Sequence, residues 1–291
     1  MYIAKGLLFS FVFLILLSCG SSKDAVMTMA SNEYKPLENS LLWKIEGNGS
    51  VASSYLYGTI HMIKADDFFL PSGTMSAIDA ADQVVFEIDM NQMSDMGTMM
   101  GLMSKAFMKD GMTISDLLNA VEYKLLESKF EKLGLPMMML ERIKPAFLTV
   151  FAYDIDPSGM QNGSIKSYEM EFFEMANNAN KLVSGLETIE FQMSVFDSIS
   201  YEDQAKMLVD ALKAGDSEND DFKVMTDMYL SQNINAMLEM IDEDEVMGSE
   251  GSNDILLTGR NKNWIPVMSD LMKTKKVSFL KQKVYKIHLC R

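Results

Sequence analysis

The stretch Leu41–Met90, LLWKIEGNGSVASSYLYGTIHMIKADDFFLPSGTMSAIDAADQVVFEIDM, reads as strand, turn, strand, loop, helix, strand. Leu41–Ile45 and Tyr55–Ile60 are short, apolar and rich in aromatic and β-branched residues, a composition that suits a pleated surface. Gly47, Asn48, Gly49 and Ser50 between them are turn formers, so the two runs predict a hairpin. Val84–Ile88 has almost no polar interruption, as expected for a strand covered on both faces in a parallel sheet. Pro71 and Ser72 open a predicted helix through Ala81, with Ser72 as the expected N-cap. Strand, helix and strand in succession make a βαβ unit, whose crossover is right-handed.

This geometry gathers chemistry at one edge of the sheet. His61 falls just past the C-terminal end of its strand, and Glu87 lies near the end of the next. Alternation places Glu87 and Asp89 on one face and Phe86 and Ile88 on the other. Open α/β sheets bind ligands outside the carboxyl ends of their strands. His61 and Glu87 are therefore expected to converge there from neighbouring strand tips. Gly58, three residues before His61, allows a backbone or ligand to approach closely. Two readings stay open for each residue. His61 is a ligand or catalytic group, or a hydrogen-bonded loop or core residue. Glu87 is functional or paired, because burying a lone carboxylate is costly.

LWKI, SYLYGTIHM, the FLP of Phe69–Pro71 and ADQVVFEID together resemble the N-terminal signature of the TraB/GumN family, to which the Tiki proteases belong. KLVSGLETIEFQ at Lys181–Gln192 and LLTGRNKNWIPVMSDLMK at Leu256–Lys273 continue the resemblance in the expected order. It spans roughly Leu41–Phe279 and implies an α/β fold. The expected form is a central mixed, largely parallel sheet with many flanking helices and a helix-rich insertion in the middle. For Tiki-like members the resemblance implies a metal-dependent peptidase site built from two G-x-x-H motifs and a glutamate. Gly58-Thr59-Ile60-His61 matches the first motif, and Glu87 matches the glutamate. Arg260 and Asn261 match a further polar motif expected near the site. The second G-x-x-H is missing. After Lys276–Leu280, which begins the expected strand, the chain reads KQKVYKIHLCR, and His288 has no glycine three residues before it.

The chain has 291 residues, enough for one large domain beside terminal extras. Its net charge of −15 argues against nucleic acid as a partner and against an anionic membrane surface. Its 2 cysteines make no disulfide framework. Met1–Lys5 is a short basic start, and Leu7–Leu17 is an apolar run too short to span a bilayer as a helix. The run ends Leu16-Leu17-Ser18-Cys19-Gly20, which resembles a bacterial lipobox. This implies a signal peptide over 1–18, cleavage before Cys19, lipidation of its sulfur, and a domain outside the cytoplasm. An ordinary signal peptide or an uncleaved anchor is the other reading. Residues 19–39 read as a tether, 40–280 as the domain, and 281–291 as an atypical basic tail. Lys273–Arg291 holds 7 basic and no acidic residues, against 19 basic and 41 acidic in the rest. This break predicts a truncated or frame-shifted C-terminus, or else a genuine tail that contacts acidic groups of its own domain.

Helical patterns fill the middle from Asn91 to about Tyr153. Met90, Met93, Met96, Met99, Met100 and Met103 recur at three- and four-residue steps on one helix face. The chain holds 28 methionines. Three uses are open: soft thioether ligands for Cu(I), a peptide-accepting groove, or adaptable core filler. Ile114–Leu133 predicts a helix ended by Gly134, and a further helix over Met138–Ala152 breaks at Pro145. Gly163–Asn178 predicts a helix and Lys181–Leu186 a strand. Glu187 follows, either as a site residue or as a carboxylate favoured at the start of the next helix. Tyr201–Ala214, Phe222–Gln232, Ile234–Ile241 and Asn261–Met272 predict further helices, with Pro266 in the first turn of the last. Asp216–Asp221 and Asp242–Glu245 read as solvated acidic connections, with calcium binding second to that because no EF-hand spacing appears.

Two functions are compatible with these residues. In the first, a hydrolase, His61 and Glu87 hold a divalent metal, by family analogy Mn²⁺, Co²⁺ or Zn²⁺. Such a site needs about three protein ligands, and Asp89, Glu187 or His288 is the candidate third. Arg260 steadies an anionic intermediate or orients a carboxylate, and the substrate is a peptide or protein. The second is a peptide- or envelope-binding lipoprotein of the same fold without turnover.

Overall fold

The computed structural model describes residues 36–47, 49–50, 52–151, 158–215, 221–243, 259–274 and 278–283. The leader with Cys19, the tether up to residue 35, most of the two acidic connections, and His288 and Cys290 lie outside them. β1 (Leu42–Ile45) and β2 (Ser54–Thr59) form the expected hairpin, with Leu42 opposite Tyr57 and Ile45 opposite Ser54. Gly47 and Gly49 hold positive φ in its turn, 95° and 80°, where a Cβ would be strained.

The chain continues through β3 (Met62–Lys64), α1 (Thr74–Ala80) and β4 (Gln83–Ile88). The insertion follows as α2 (Met96–Ala106), α3 (Ile114–Leu117), α4 (Ala120–Lys132), α5 (Met137–Leu140), α6 (Pro145–Leu148) and α7 (Ser158–Asn162). Then come β5 (Ile165–Ser167), α8 (Tyr168–Asn178), β6 (Leu182–Glu187), α9 (Ile189–Val195), α10 (Tyr201–Gly215), α11 (Asp221–Leu230), α12 (Ile234–Glu243), α13 (Gly259–Thr274) and β7 (Ser278–Lys283).

Several boundaries differ from the sequence expectation for local reasons. Gly73, in the left-handed region, precedes α1, and Ser72 makes no cap. The predicted helix over Ile114–Leu133 is two helices, because Asn119 stops one and caps the next by accepting from the amides of Val121 and Glu122. The start of the predicted Gly163–Asn178 helix is instead β5, which pairs antiparallel with β3. Helix α13 begins at Gly259, so Pro266 lies inside it rather than in its first turn.

The main sheet has the order β1-β2-β7-β4-β6. Only β1 runs antiparallel; β2 with β7, β7 with β4, and β4 with β6 are parallel. This is the mixed, largely parallel α/β sheet that the sequence predicts. On one face Tyr57, Val84, Phe86 and Phe279 pack against Tyr168 and Phe172 of α8 and Tyr229 of α11. The Tyr57 and Phe172 rings meet edge to face at 4.9 Å, a contact worth about 0.5–1.5 kcal/mol beyond area burial. On the other face Leu56, Val85 and Leu186 pack under Trp264 and Met268 of α13. The insertion has its own core, in which Ile114, Leu126, Phe130 and Leu148 close on Leu208 and Leu212 of α10. The described residues from Leu37 onward form one compact unit. Asn235 ties down its beginning, accepting from the Leu37 amide at 2.9 Å and donating to the Leu37 carbonyl at 2.8 Å.

Burial pushes the phenol pKa values of Tyr57, Tyr168 and Tyr229 above the ordinary range, because an enclosed phenolate loses its hydration. The fold therefore favours the protonated form of each. Their contribution is fully present below the unfolded value of about 10 and is lost as pH rises toward the folded values. Melting temperature should fall steeply above about pH 10, and less steeply in Tyr57→Phe. At neutral pH that variant should lose little stability, because the Tyr57 hydroxyl gives up only a neutral side-chain hydrogen bond with Tyr229, worth about 1 kcal/mol. Thermal melts across the alkaline range test both expectations, and an unchanged slope in the variant would oppose them.

Candidate functional site

The parallel strands β2, β7, β4 and β6 send their carboxyl ends to one edge, with Thr59 abreast of Lys283 and Ile88 abreast of Glu187. The expected adjacency of the His61 and Glu87 strands does not occur, because β7 pairs with β2 on one side and β4 on the other. The two tips are separated by two strand spacings, about 9.5 Å at the backbone. A strand from the far end of the chain fills the gap, which no local pattern could reveal.

His61 sits beyond β2 with its side chain 58% exposed. Its Nδ1 lies 3.0 Å from Oε1 of Glu169 in the first turn of α8. The Ser167 hydroxyl donates to the other Glu169 oxygen at 2.9 Å. When Nδ1 donates in this bond, Nε2 is the lone-pair nitrogen of the neutral ring. Gly58 also has a defined role, since its carbonyl accepts from the Tyr229 hydroxyl at 3.3 Å.

Glu87 belongs to a different constellation. It is buried on the same face as Val85, under α13. Arg260, in the first turn of α13, donates through Nη2 to Glu87 Oε2 at 3.3 Å. The same guanidinium grips Glu187, with Nε at 3.1 and 3.3 Å from its two oxygens and Nη2 bonded to Oε1. Trp264 donates from Nε1 to Glu187 Oε2 at 3.0 Å, and its ring stacks on Arg260 with 5.1 Å from Cζ to centroid. Gln192 of α9 reaches Glu87 Oε2 at 3.5 Å. All three charged side chains are at most 8% exposed. One cation between two buried carboxylates is a charge-assisted lock, because each buried carboxylate needs a compensating positive charge in low dielectric.

The other candidates are placed as follows. Asp89 accepts from the Asn91 amide at 3.0 Å and so caps the turn after β4. The cap at the start of α9 is Thr188, whose hydroxyl accepts from the Phe191 amide at 3.1 Å, which leaves Glu187 to Arg260 and Trp264. Asn261 is buried beside Arg260, with its Oδ1 enclosed and no hydrogen-bond partner among the described residues. Gly185 is required where β6 meets the end of β4. A Cβ there would lie 2.3 Å from the Asp89 nitrogen.

The described residues do not fit a three-ligand divalent site. Glu87 is bonded to Arg260 and Gln192, and His61 is bonded to Glu169. No group of three or more His, Cys, Asp or Glu that could hold a metal occurs among the described residues. Sequence reasoning singled out Glu87, Glu187 and Arg260 separately but missed Glu169, Gln192 and Trp264. The stacking of Trp264 on Arg260 had a signal in the four-residue spacing. Glu169 had none, since it comes from a helix more than a hundred residues away.

A protein-family model described as the TraB/PrgY/gumN family matches residues 41–280. No curated protein and no solved structure matches the chain.

Arg260→Ala should strand two buried carboxylates and cost about 3–5 kcal/mol. Arg260→Lys should recover only part of this, since an ammonium lacks the planar fork. Urea unfolding monitored by tryptophan fluorescence measures both variants. A loss under 1 kcal/mol in Arg260→Ala, roughly the worth of a surface pair, would show that the lock contributes little.

Proposed function

The chain belongs to the TraB/PrgY/gumN family, and from that premise we propose that it is a non-catalytic binding protein, held at the bacterial envelope by lipid on Cys19, that takes a peptide or an envelope component. The engagement of Glu87 by Arg260 carries this reading. The glutamate that matches the Tiki-like catalytic position already has its charge compensated by a buried guanidinium at 3.3 Å. The missing second G-x-x-H supports the same reading. In the family that motif follows the strand after the GRN helix, which is β7 here. Its place is thus between the His61 and Glu87 strands. Between Lys276 and Arg291 the sequence holds no G-x-x-H, and fewer ligands favour binding over water activation.

A second reading, a metal-dependent hydrolase, is favoured by one observation. The His61–Glu169 bond is the arrangement that orients a ligating imidazole. On that reading His61 and Glu87 would be among the residues that hold the metal, which would supply Lewis-acid chemistry when bound.

Metal analysis and peptide digestion separate the two. The purified chain, incubated with Mn²⁺, Co²⁺ or Zn²⁺ and then desalted, should hold no stoichiometric metal that His61→Ala removes. Peptides retained by the immobilised chain should be recovered intact by mass spectrometry, as they are from Glu87→Gln. Metal near one per chain that vanishes in His61→Ala, with cleavage lost in Glu87→Gln, would establish the hydrolase instead. The anchor is tested independently. Cys19→Ala should move the protein from the membrane fraction to the soluble fraction and remove [³H]palmitate labelling, and unchanged partition would overturn it.

A further inference from the structure

Helix α2 presents methionine to solvent. Met96 is 75% exposed, Met100 67% and Met103 61%, while Leu102 is the buried residue of the helix. Met93 in the preceding turn is also exposed, and Met99 is half-buried. Over α2 the stripe is therefore not core filler, whereas Met90 before it is buried in the main core. Four of these residues have a special relation on a helix. Met96–Met99 and Met100–Met103 are i,i+3 pairs, and Met96–Met100 and Met99–Met103 are i,i+4 pairs. Each such pair has Cβ atoms about 5–6 Å apart, so the four positions form a closed rhombus of neighbours. Methionine is long, unbranched and flexible, so the four sulfurs can gather over the centre of that rhombus. The helix beneath is well started, since Asp95 accepts from the Thr98 amide at 2.7 Å.

We propose that the rhombus Met96, Met99, Met100 and Met103 is a binding site for a soft monovalent cation, Cu(I). Thioether is a soft ligand that suits Cu(I) and leaves hard divalent ions to oxygen donors. A chain of net charge −15 attracts a cation, and the Asp95 carboxylate lies beside Met96 in sequence at the helix start. Arg142 lines a groove of about 500 Å³ with Met100, Met103, Ser104 and Phe107. Its positive charge biases the ion toward the Met96 end of the rhombus. The choice of residue supports sulfur chemistry over plain apolarity. Leucine would serve a hydrophobic docking face equally well, yet every exposed large hydrophobic residue from Met93 through Met103 is methionine.

The test uses the full chain carrying Cys19→Ser and Cys290→Ser, so that neither thiol competes. Under anaerobic conditions it is titrated with Cu(I) in the presence of the chromogenic chelator bicinchoninate. One equivalent should be withdrawn from the chelator. The combined Met96→Leu, Met99→Leu, Met100→Leu and Met103→Leu variant conserves volume and apolar area, so it should fold as before. Its Cu(I) affinity should fall by about tenfold or more, with an unchanged circular dichroism spectrum and melting temperature. Ag(I) should follow Cu(I), and Zn²⁺ should bind neither protein on this face. Failure of the Cys-free chain to take Cu(I), or equal affinity in the leucine variant, would overturn the proposal. An apolar peptide bound equally by both proteins without any Cu(I) uptake would instead assign the face to peptide docking. These readouts are independent of whether the His61 and Glu87 region is catalytic.

Discussion

One guanidinium holds the carboxyl edge of the sheet together. Arg260 reaches from α13 into a buried space between the ends of β4 and β6, where Glu87 and Glu187 would otherwise face each other as unscreened like charges. Its planar fork spans both carboxylates, a task a point charge performs poorly. Trp264, one turn along, stacks on the guanidinium and donates to Glu187. Helix α13 is thus fixed by charge at its start and by Trp264 and Met268 against Leu56 and Val85 further on. The close approach of β6 to β4 at Gly185 sets Glu187 within reach.

The second constraint is the insertion of β7. The hairpin strand β2 and the strand β4 are close in sequence, yet each pairs with a strand supplied by the other end of the chain. Phe279 of that strand is fully buried among Tyr57 and Phe172. The aromatic core of this face is therefore completed only when the last strand arrives. The same insertion divides the edge chemistry into two regions. His61 pairs with Glu169 in one, and Glu87 pairs with Arg260 in the other. The bonding of Glu87 to Arg260 is the observation on which the proposal of binding without turnover rests.

The methionine stripe shows how periodicity reports a face without reporting what covers it. Steps of three and four residues are the same for a core face and for a solvent face. In α2 the stripe turned outward, because Leu102 occupies the inner side and the insertion core closes through Leu126, Phe130 and Leu208 instead. The chemistry of the exposed face is then decided by atom type, and the atoms are sulfur.

By itself the sequence determined the hairpin, the buried strand at Val84–Ile88, most of the helices and the α/β class, because these follow from local alternation, turn residues and caps. It also marked Glu87 as paired or functional, since a carboxylate in an apolar strand cannot stay alone. Only the tertiary structure decided which partner it has. Arg260 lies 173 residues away and Glu169 lies 108 residues from His61, and spacing along a chain carries no information at such separations. The order of the sheet was likewise a tertiary decision, because a strand's composition tells how it is covered but not which neighbour it pairs with. Local rules wrote the elements, and long-range pairing of charges and strands chose their arrangement.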